Sequence, residues 1–459
     1  MRRKFMRSLG LLLTCGIAIV GMAGCGKSTK TPTKEGYNIL WADEFDGSSL
    51  NTKLWLREER PVGWTNNEAQ EYVTDKKNGF VRDGKFVIKG MENPDGVGTY
   101  TSCKLRNTSK AAFMYGRIET RAKVPQGKGL WPAIWMMPED ESVYGQWPKC
   151  GEIDIMEVLG DQTETAFGTV HYGEPHAEKQ GKVTLTGGET FATDFHEYAV
   201  EWEPGKLEWF IDGKSYLVVD NWFSAEKDED DKPFPAPFNQ KFCIQMNLAI
   251  GGDWPGYPDF GADYMKNAEF EIDYVRVYQK PEYDTNVTKP EVVYRNPDET
   301  GNYISDTNFE HEILTKDTAM GVGWVFHLEK DANATYTQLD GGGIKIDITK
   351  SGTKDYSVQL YHAECPFING KTYKVSFDYW GDQESFRIRE VCIDAPNAGW
   401  QRYWTDRVDV TTTKQTYETT FTYTMKKNDA GARFEFNIGN SSEGTIYLSN
   451  VRLEEVTTD

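Results

Sequence analysis

Gly151-Glu152-Ile153-Asp154-Ile155-Met156-Glu157-Val158 alternates acids with aliphatic residues. An extended chain sends such neighbours to opposite faces, so the segment reads as a β-strand and not as a helix. Runs of the same kind recur on either side of it, at 85–89, 116–122, 207–211 before Asp212-Gly213, and 271–278. They begin again at 343–348, 372–378, 433–438 and 445–451. Many short strands without interleaved helices predict an all-β chain of packed antiparallel sheets. Between the two groups, 281–301 is polar, is broken by Pro281, Pro290 and Pro297, and has no clear period, which reads as a linker. The expectation is a β-sandwich over 37–280 and a second, smaller β-sandwich over 302–459. A length of 459 residues agrees with more than one domain.

Composition narrows the class. There are 51 Lys and Arg against 71 Asp and Glu, a formal charge of −20, which argues against nucleic acid as a partner because such binding needs cations on phosphates. The 14 Trp, 24 Tyr and 23 Phe exclude a chain disordered throughout. Residues 1–24 read as an export signal, with Arg2, Arg3, Lys4 and Arg7 before a mainly apolar run over 11–20. That run is short of the about 20 residues a spanning helix needs. Met22-Ala23-Gly24-Cys25 resembles a lipoprotein signal-peptidase box, which implies lipidation of Cys25, a polar tether over 25–36, and an exported protein held at the cell surface by its lipid anchor. The acidic patch 226–231 reads as a solvated loop. Of the later cysteines, Cys103, Cys150, Cys243, Cys365 and Cys392, an odd number cannot all pair. Buried free thiols are expected, with Cys103–Cys150 and Cys365–Cys392 bridges as the alternatives. No CxxC or HExxH occurs, so no zinc motif is visible.

In a regular strand Glu152 and Asp154 would share a face and Glu157 would lie on the other. A β-bulge at Ile155-Met156 turns Glu157 back onto the face of the first two, and bulges often re-aim side chains beside active sites. Three acids on one face repel one another and raise at least one pKa, an arrangement costly for structure and useful for proton transfer. Glycoside cleavage with retention uses two carboxyl groups about 5 to 5.5 Å apart. An edge strand whose acids merely face solvent gives the same pattern, and spacing alone does not separate the two readings.

The segment is similar to the active-site signature of glycoside hydrolase family 16 in its bulged, laminarinase-type form. Trp41-Ala42-Asp43-Glu44-Phe45-Asp46-Gly47, Asn66-Asn67-Glu68, Tyr115-Gly116-Arg117-Ile118-Glu119, Gly129-Leu130-Trp131-Pro132-Ala133-Ile134-Trp135-Met136, Gly168-Thr169-Val170-His171-Tyr172, Asn247-Leu248-Ala249-Ile250-Gly251-Gly252 and Asp273-Tyr274-Val275-Arg276-Val277-Tyr278 resemble family blocks in family order. The resemblance implies a β-jelly-roll sandwich with an open cleft for β-glucan. It implies Glu152 as nucleophile, Glu157 as general acid/base and Asp154 between them, with Asn67, Glu68, Trp131, Trp135, Trp147 and His171 contacting sugar. Pyranose rings present apolar faces to indoles and hydroxyls to short polar groups, which suits that set. For Trp41, Trp55, Trp202 and Trp209 core packing is the expected role. The chemistry needs no cofactor; a structural calcium away from the cleft is implied at Glu44, the Gly84 carbonyl and Asp273.

Residues 302–455 resemble carbohydrate-binding modules of families 4 and 9 through Asn308-Phe309-Glu310, Gly323-Trp324, Tyr356-Ser357-Val358-Gln359-Leu360, the run 370–378 and the closing run 446–451. No run of clustered carboxylates appears there, so binding without catalysis is expected, with Gln359, Tyr361, Arg387, Trp400 and Tyr403 as groove candidates. The combined expectation is a monomeric, surface-anchored, retaining endo-β-1,3-glucanase. Mixed-linkage β-1,3-1,4-glucanase (lichenase) activity, a surface lipoprotein that captures glycan without cleaving it, and transglycosylation stay open as alternatives.

Overall fold

The computed structural model describes residues 33–93, 100–174, 176–224, 232–315, 322–384, 386–396 and 399–456. The export segment, Cys25 and the acidic patch 226–231 lie outside them. Among the described residues strand is the dominant regular structure, and helix is confined to short 3-10 turns such as Asp263–Asn267. No helix among them is long and apolar enough to cross a membrane.

The first unit is a sandwich of two sheets. One carries seven strands in the order Ala177–Thr184, Thr165–Tyr172, Glu152–Val158, Leu130–Pro138, Phe242–Ile250, Lys104–Asn107, Trp55–Glu58, with every neighbouring pair antiparallel. The other carries eight, built around Gly116–Lys123 and Glu269–Gln279. Alternation sets what each strand buries. In Phe242–Ile250 the even-numbered Phe242, Ile244, Met246, Leu248 and Ile250 enter the core between the sheets, leaving Gln245, Asn247 and Ala249 for the other face. In Glu269–Gln279 a register shift between Ile272 and Tyr274 changes phase, so Phe270 and Ile272, then Val275 and Val277, all reach the same core. Trp55, Trp202 and Trp209 are fully buried there and Trp41 packs against it, as expected for structural indoles.

The second unit repeats the architecture with different strands. A six-stranded sheet runs Leu314–Thr315, Trp324–Leu328, Val358–Phe367, Asp429–Asn437, Phe386–Ala395, Gln401–Val410, and a five-stranded one runs Ala332–Gln338, Ile344–Ser351, Gly444–Glu455, Thr372–Gly381, Gln415–Thr422. Its separate core gathers Trp324, Phe367, Tyr373, Phe377, Phe434 and Phe436. Between Gln279 and Leu314 no strand is formed. All five cysteines after the signal are buried and unpaired, so the free-thiol reading holds and neither bridge is present. Burial pushes the Cys103 and Cys365 thiols up to about 12, which keeps them protonated and inert.

Candidate active site

The bulge is where the sequence places it. Asp154 lies opposite Thr169 and Glu157 opposite Phe167, three residues spanned against two. On the other side Trp135 pairs with Asp154 and Ile134 with Met156, which skips Ile155. Ile155 and Met156 are consecutive and both buried in the core, and this is what turns Glu157 onto the face of Glu152 and Asp154. The opposite sheet holds the strand at this point: Trp209 Nε1 donates to the Asp154 main-chain carbonyl at 2.7 Å. Only glycine at 168 lets the indole through, since a Cβ there would lie 2.6 Å from the Trp209 ring and 2.4 Å from the Tyr216 hydroxyl oxygen.

The three acids open into a cleft of about 600 Å³ whose walls include Trp64, Asn66, Glu68, Trp131, Trp135, Trp147, His171 and Trp254. Indole N–H groups reach the acids from both sides. Trp147 Nε1 donates to Glu152 Oε2 at 2.5 Å, and Trp131 Nε1 donates to Glu157 Oε1 at 3.1 Å. Trp135 Nε1 donates to Asn247 Oδ1, Asn247 Nδ2 to the Tyr72 hydroxyl, and that hydroxyl to Glu68 Oε2, a chain of 2.6, 2.9 and 3.3 Å along one wall. Gln70 Nε2 completes the bonding of Glu68 at 2.6 Å. Behind Trp135 lies the buried ammonium of Lys104, 4.9 Å from the ring centroid and 2.9 Å from Glu58.

Burial raises all three acids. Burial, opposed by the nearby His171 and aided by the charge of Glu152, pushes Glu157 up to about 7. Burial and the Asp154 charge raise Glu152, and burial and the Glu157 charge raise Asp154. His171 lies with Nε2 3.2 Å from Asp154 Oδ2. Burial opposes its charge, but the bonds to Asp154 and Glu178 prevail and carry it up to about 11. One imidazolium therefore stands among three carboxyls. Such a site keeps carboxyl protons at hand near neutral pH, with His171 favouring the ionised form of the acids it faces.

Residues 58–276 match Glycosyl hydrolases family 16. The chain is 38% identical over 285 residues to a beta-glucanase of Rhodothermus marinus, spanning 60% of this chain and 96% of that one. It is also 38% identical over 269 residues to glucan endo-1,3-beta-glucosidase A1 of Niallia circulans, covering 54% of this chain but only 39% of that protein's length. The chain belongs to glycosyl hydrolase family 16. The solved laminarinase of Rhodothermus marinus is 35% identical, with a TM-score of 0.47 over 54% of this chain and 98% of that one. Residues 301–443 match a carbohydrate binding domain.

Most residues expected in the hydrolase cleft are there. Glu68, Trp131, Trp135, Trp147 and His171 all line it, and His171 faces Asp154. Asn67 is placed differently. Its amide donates to both carboxylate oxygens of Asp253, at 3.1 and 2.9 Å, and the preceding Asn66 lines the wall instead. Both asparagines have positive φ, 51° and 55°, a backbone that Asn tolerates well and that turns adjacent side chains apart. Missed altogether were Trp64, Trp254, His176, Glu178 and Gln180. Trp254 follows Gly251-Gly252 just after the block 247–252 that resembles the family, which was the available signal.

Strand pairing brings the implied calcium ligands close: Glu44 follows Asp43, which pairs Val275, and Gly84 precedes the strand whose Phe86 pairs Ile272, next to Asp273. Both carboxylates are engaged, however. Glu44 accepts Arg276 Nε and Nη2 at 2.8 Å each, and Asp273 accepts Arg121 Nη1 at 2.9 Å. An ion would have to displace two arginines, so the residues as they stand do not form a hard-oxygen cage.

In the second unit the absence of clustered acids is corrected. Pairing of Phe386–Ala395 with Asp429–Asn437 sets Glu390 opposite Asn437, Cys392 opposite Glu435 and Asp394 opposite Arg433. The acids come from different strands, so no single run displays them. Gln359 belongs to this face, donating to Glu435 Oε2 at 3.1 Å, and the Arg433 guanidinium lies 4.2 Å over Tyr361 and 5.1 Å from Trp400. Arg387 is exposed and paired with Asp409, while Tyr403 packs on Phe367 and bonds Asp429, so neither joins that group.

Proposed function

We propose that this family 16 hydrolase is a retaining endo-β-1,3-glucanase of laminarinase type. The observation that carries the reading is the bulged strand that sets Glu152, Asp154 and Glu157 on one wall of an indole-lined cleft. Glu157, protonated, donates to the glycosidic oxygen as Glu152 attacks the anomeric carbon. Glu157 then takes a proton from water, whose oxygen releases the sugar from Glu152 with net retention. Asp154, with His171 Nε2 at 3.2 Å, sets the proton balance at the nucleophile, since its own charge raises Glu152 while His171 lowers it. The names carried by the Niallia and Rhodothermus relatives support a β-glucan substrate. Digestion of laminarin, lichenan, xyloglucan and agarose side by side, with product sizing and the anomeric form of the first products read by NMR, tests it. Laminarin cleaved first to mixed oligosaccharides of retained anomeric form is expected; preference for lichenan gives the mixed-linkage reading, and no cleavage of any polymer gives the capture reading.

The second sandwich is read as a binding module on the same chain. Support comes from its polar sheet face, where Glu435 Oε1 and Asp394 Oδ1 are buried without a hydrogen-bonding partner. Carbonyl-like acceptors of this kind suit sugar hydroxyls. Even weak binding there keeps the hydrolase close to its polymer. Export and lipidation at Cys25 complete the proposal, with a monomer tethered at the cell surface. Radiolabelled fatty acid entering the unaltered chain but not Cys25→Ser tests the anchor.

A further inference from the structure

We propose that His171, His176 and Glu178 form a binding site for Zn²⁺ at the nucleophile end of the cleft, and that the ion and the polysaccharide compete for that end. The three residues are built into one hairpin. His171 pairs directly with Glu178 across Thr165–Tyr172 and Ala177–Thr184, and His176 is the last residue of the connecting turn. Their donor atoms converge: His171 Nδ1 is 2.9 Å from His176 Nε2 and 3.3 Å from Glu178 Oε2, and His176 Nε2 is 3.9 Å from the same oxygen. A tetrahedral zinc with bonds of about 2.0 to 2.1 Å holds neighbouring donors roughly 3.3 Å apart, which is the middle of that range. Two imidazoles and one carboxylate are donors that zinc accepts in preference to calcium or magnesium.

The outer contacts fit as well. A zinc-bound histidine characteristically gives its other ring nitrogen to a carboxylate, and His171 Nε2 faces Asp154 at 3.2 Å. Trp147, whose indole holds Glu152, lies 5.0 Å from the His176 ring and flanks the cluster. All three ligands also line the cleft, so an ion here has its fourth position open toward the space a sugar chain must cross. Binding displaces one proton from the His171–His176 contact, with Nε2–H of His171 kept for Asp154. Zinc thus takes over the cation already present among the acids and puts its own coordination sphere in the path of the substrate.

Equilibrium dialysis of the chelator-treated full chain against ZnCl₂ tests the site without reference to catalysis. His176→Gln and Glu178→Gln are each expected to bind this ion at least about tenfold more weakly, and Asp154→Asn about 10- to 100-fold more weakly through the lost outer contact. Laminari-oligosaccharide added to the unaltered chain raises the zinc needed for half-saturation. In the activity assay, zinc inhibits reversibly by chelator, and His176→Gln needs about tenfold more zinc for the same fractional loss, each variant scaled to its own zinc-free rate. Equal zinc affinity in the unaltered chain and both hairpin variants overturns the site. Binding lost in the variants but indifferent to oligosaccharide overturns the competition. Should no glucan be hydrolysed, the dialysis results still decide the zinc site by themselves.

Discussion

Each sandwich buries a group of acids on one sheet face, and the two groups behave differently because of what stands between the acids. In the first unit Glu152, Asp154 and Glu157 come from one bulged strand and meet indole N–H groups and a single histidine. In the second, Glu390 accepts Arg402 at 3.0 and 3.1 Å and Asn437 at 2.8 Å, Asp394 is bound by the same Arg402, and Glu435 sits among Gln359, Asn437 and Arg433. Arginine cannot exchange its proton near neutral pH, so it opposes protonation of the carboxyls it touches. Glu390 is held below the usual carboxylate range by Arg402 and Asn437, whereas burial outweighs the arginines at Asp394, which is raised, and at Glu435, which is pushed up to about 7. Raised carboxyls therefore occur in both clusters, and what separates them is the partner: indoles and one histidine in the first, arginines and amides in the second.

The largest expected contrast is in turnover. Glu152→Gln leaves no measurable hydrolysis of laminarin, and Glu157→Gln costs at least about a thousandfold in kcat. Glu435→Gln acts instead on retention by insoluble glucan, read by pull-down. Comparable loss of kcat on short soluble oligosaccharides from Glu435→Gln would break the distinction. Next is Arg402→Ala, which strips cations from Glu390 and Asp394. It is expected to destabilise the second unit by about 2 kcal/mol in chemical denaturation, less than a fully buried pair because Arg402 keeps some solvent contact.

A stability effect of opposite sign is expected in the first cluster. The Glu157 carboxyl is raised from 4.5 to about 7 in the fold. The stability it contributes is complete below its unfolded value and is lost as pH rises through about 7. Glu157→Gln escapes that loss, so its melting temperature should overtake the unaltered chain's between pH about 4.5 and 7, with a limit of about 3 kcal/mol above that. A constant offset at every pH would contradict the raised carboxyl. The smallest effect is on the alkaline limb of kcat/KM, which should fall near pH 7 as Glu157 loses its proton. Trp131 Nε1 steadies the charged form, so Trp131→Phe should move that limb upward by less than about one unit.

Alternation made the strands and both sandwiches legible, because face assignment is a local property of an extended chain. The three acids of the cleft were legible for the same reason: one strand carries all of them, and consecutive Ile155 and Met156 mark the bulge. The Glu390–Asp394–Glu435 face was not, since strand pairing assembles it across a long stretch of sequence. His176 and Glu178 escaped notice because only the hairpin closing on His171 gives them a shared purpose. Asn67 was misplaced by one residue where two successive positive φ angles upset simple alternation.

The bond from Trp209 to the Asp154 carbonyl, passed through the gap left by Gly168, joins the cleft to the middle of the protein interior. A bulge held in this way is expected to fail with the sandwich and not before it. Heating should not loosen the bulge while the sandwich remains, because the indole that pins it is itself fully enclosed. Loss of turnover and loss of the first unit's tertiary signal should then fall on one curve. An enzyme with that property ages abruptly, keeping full activity in every surviving molecule until the molecule as a whole is gone.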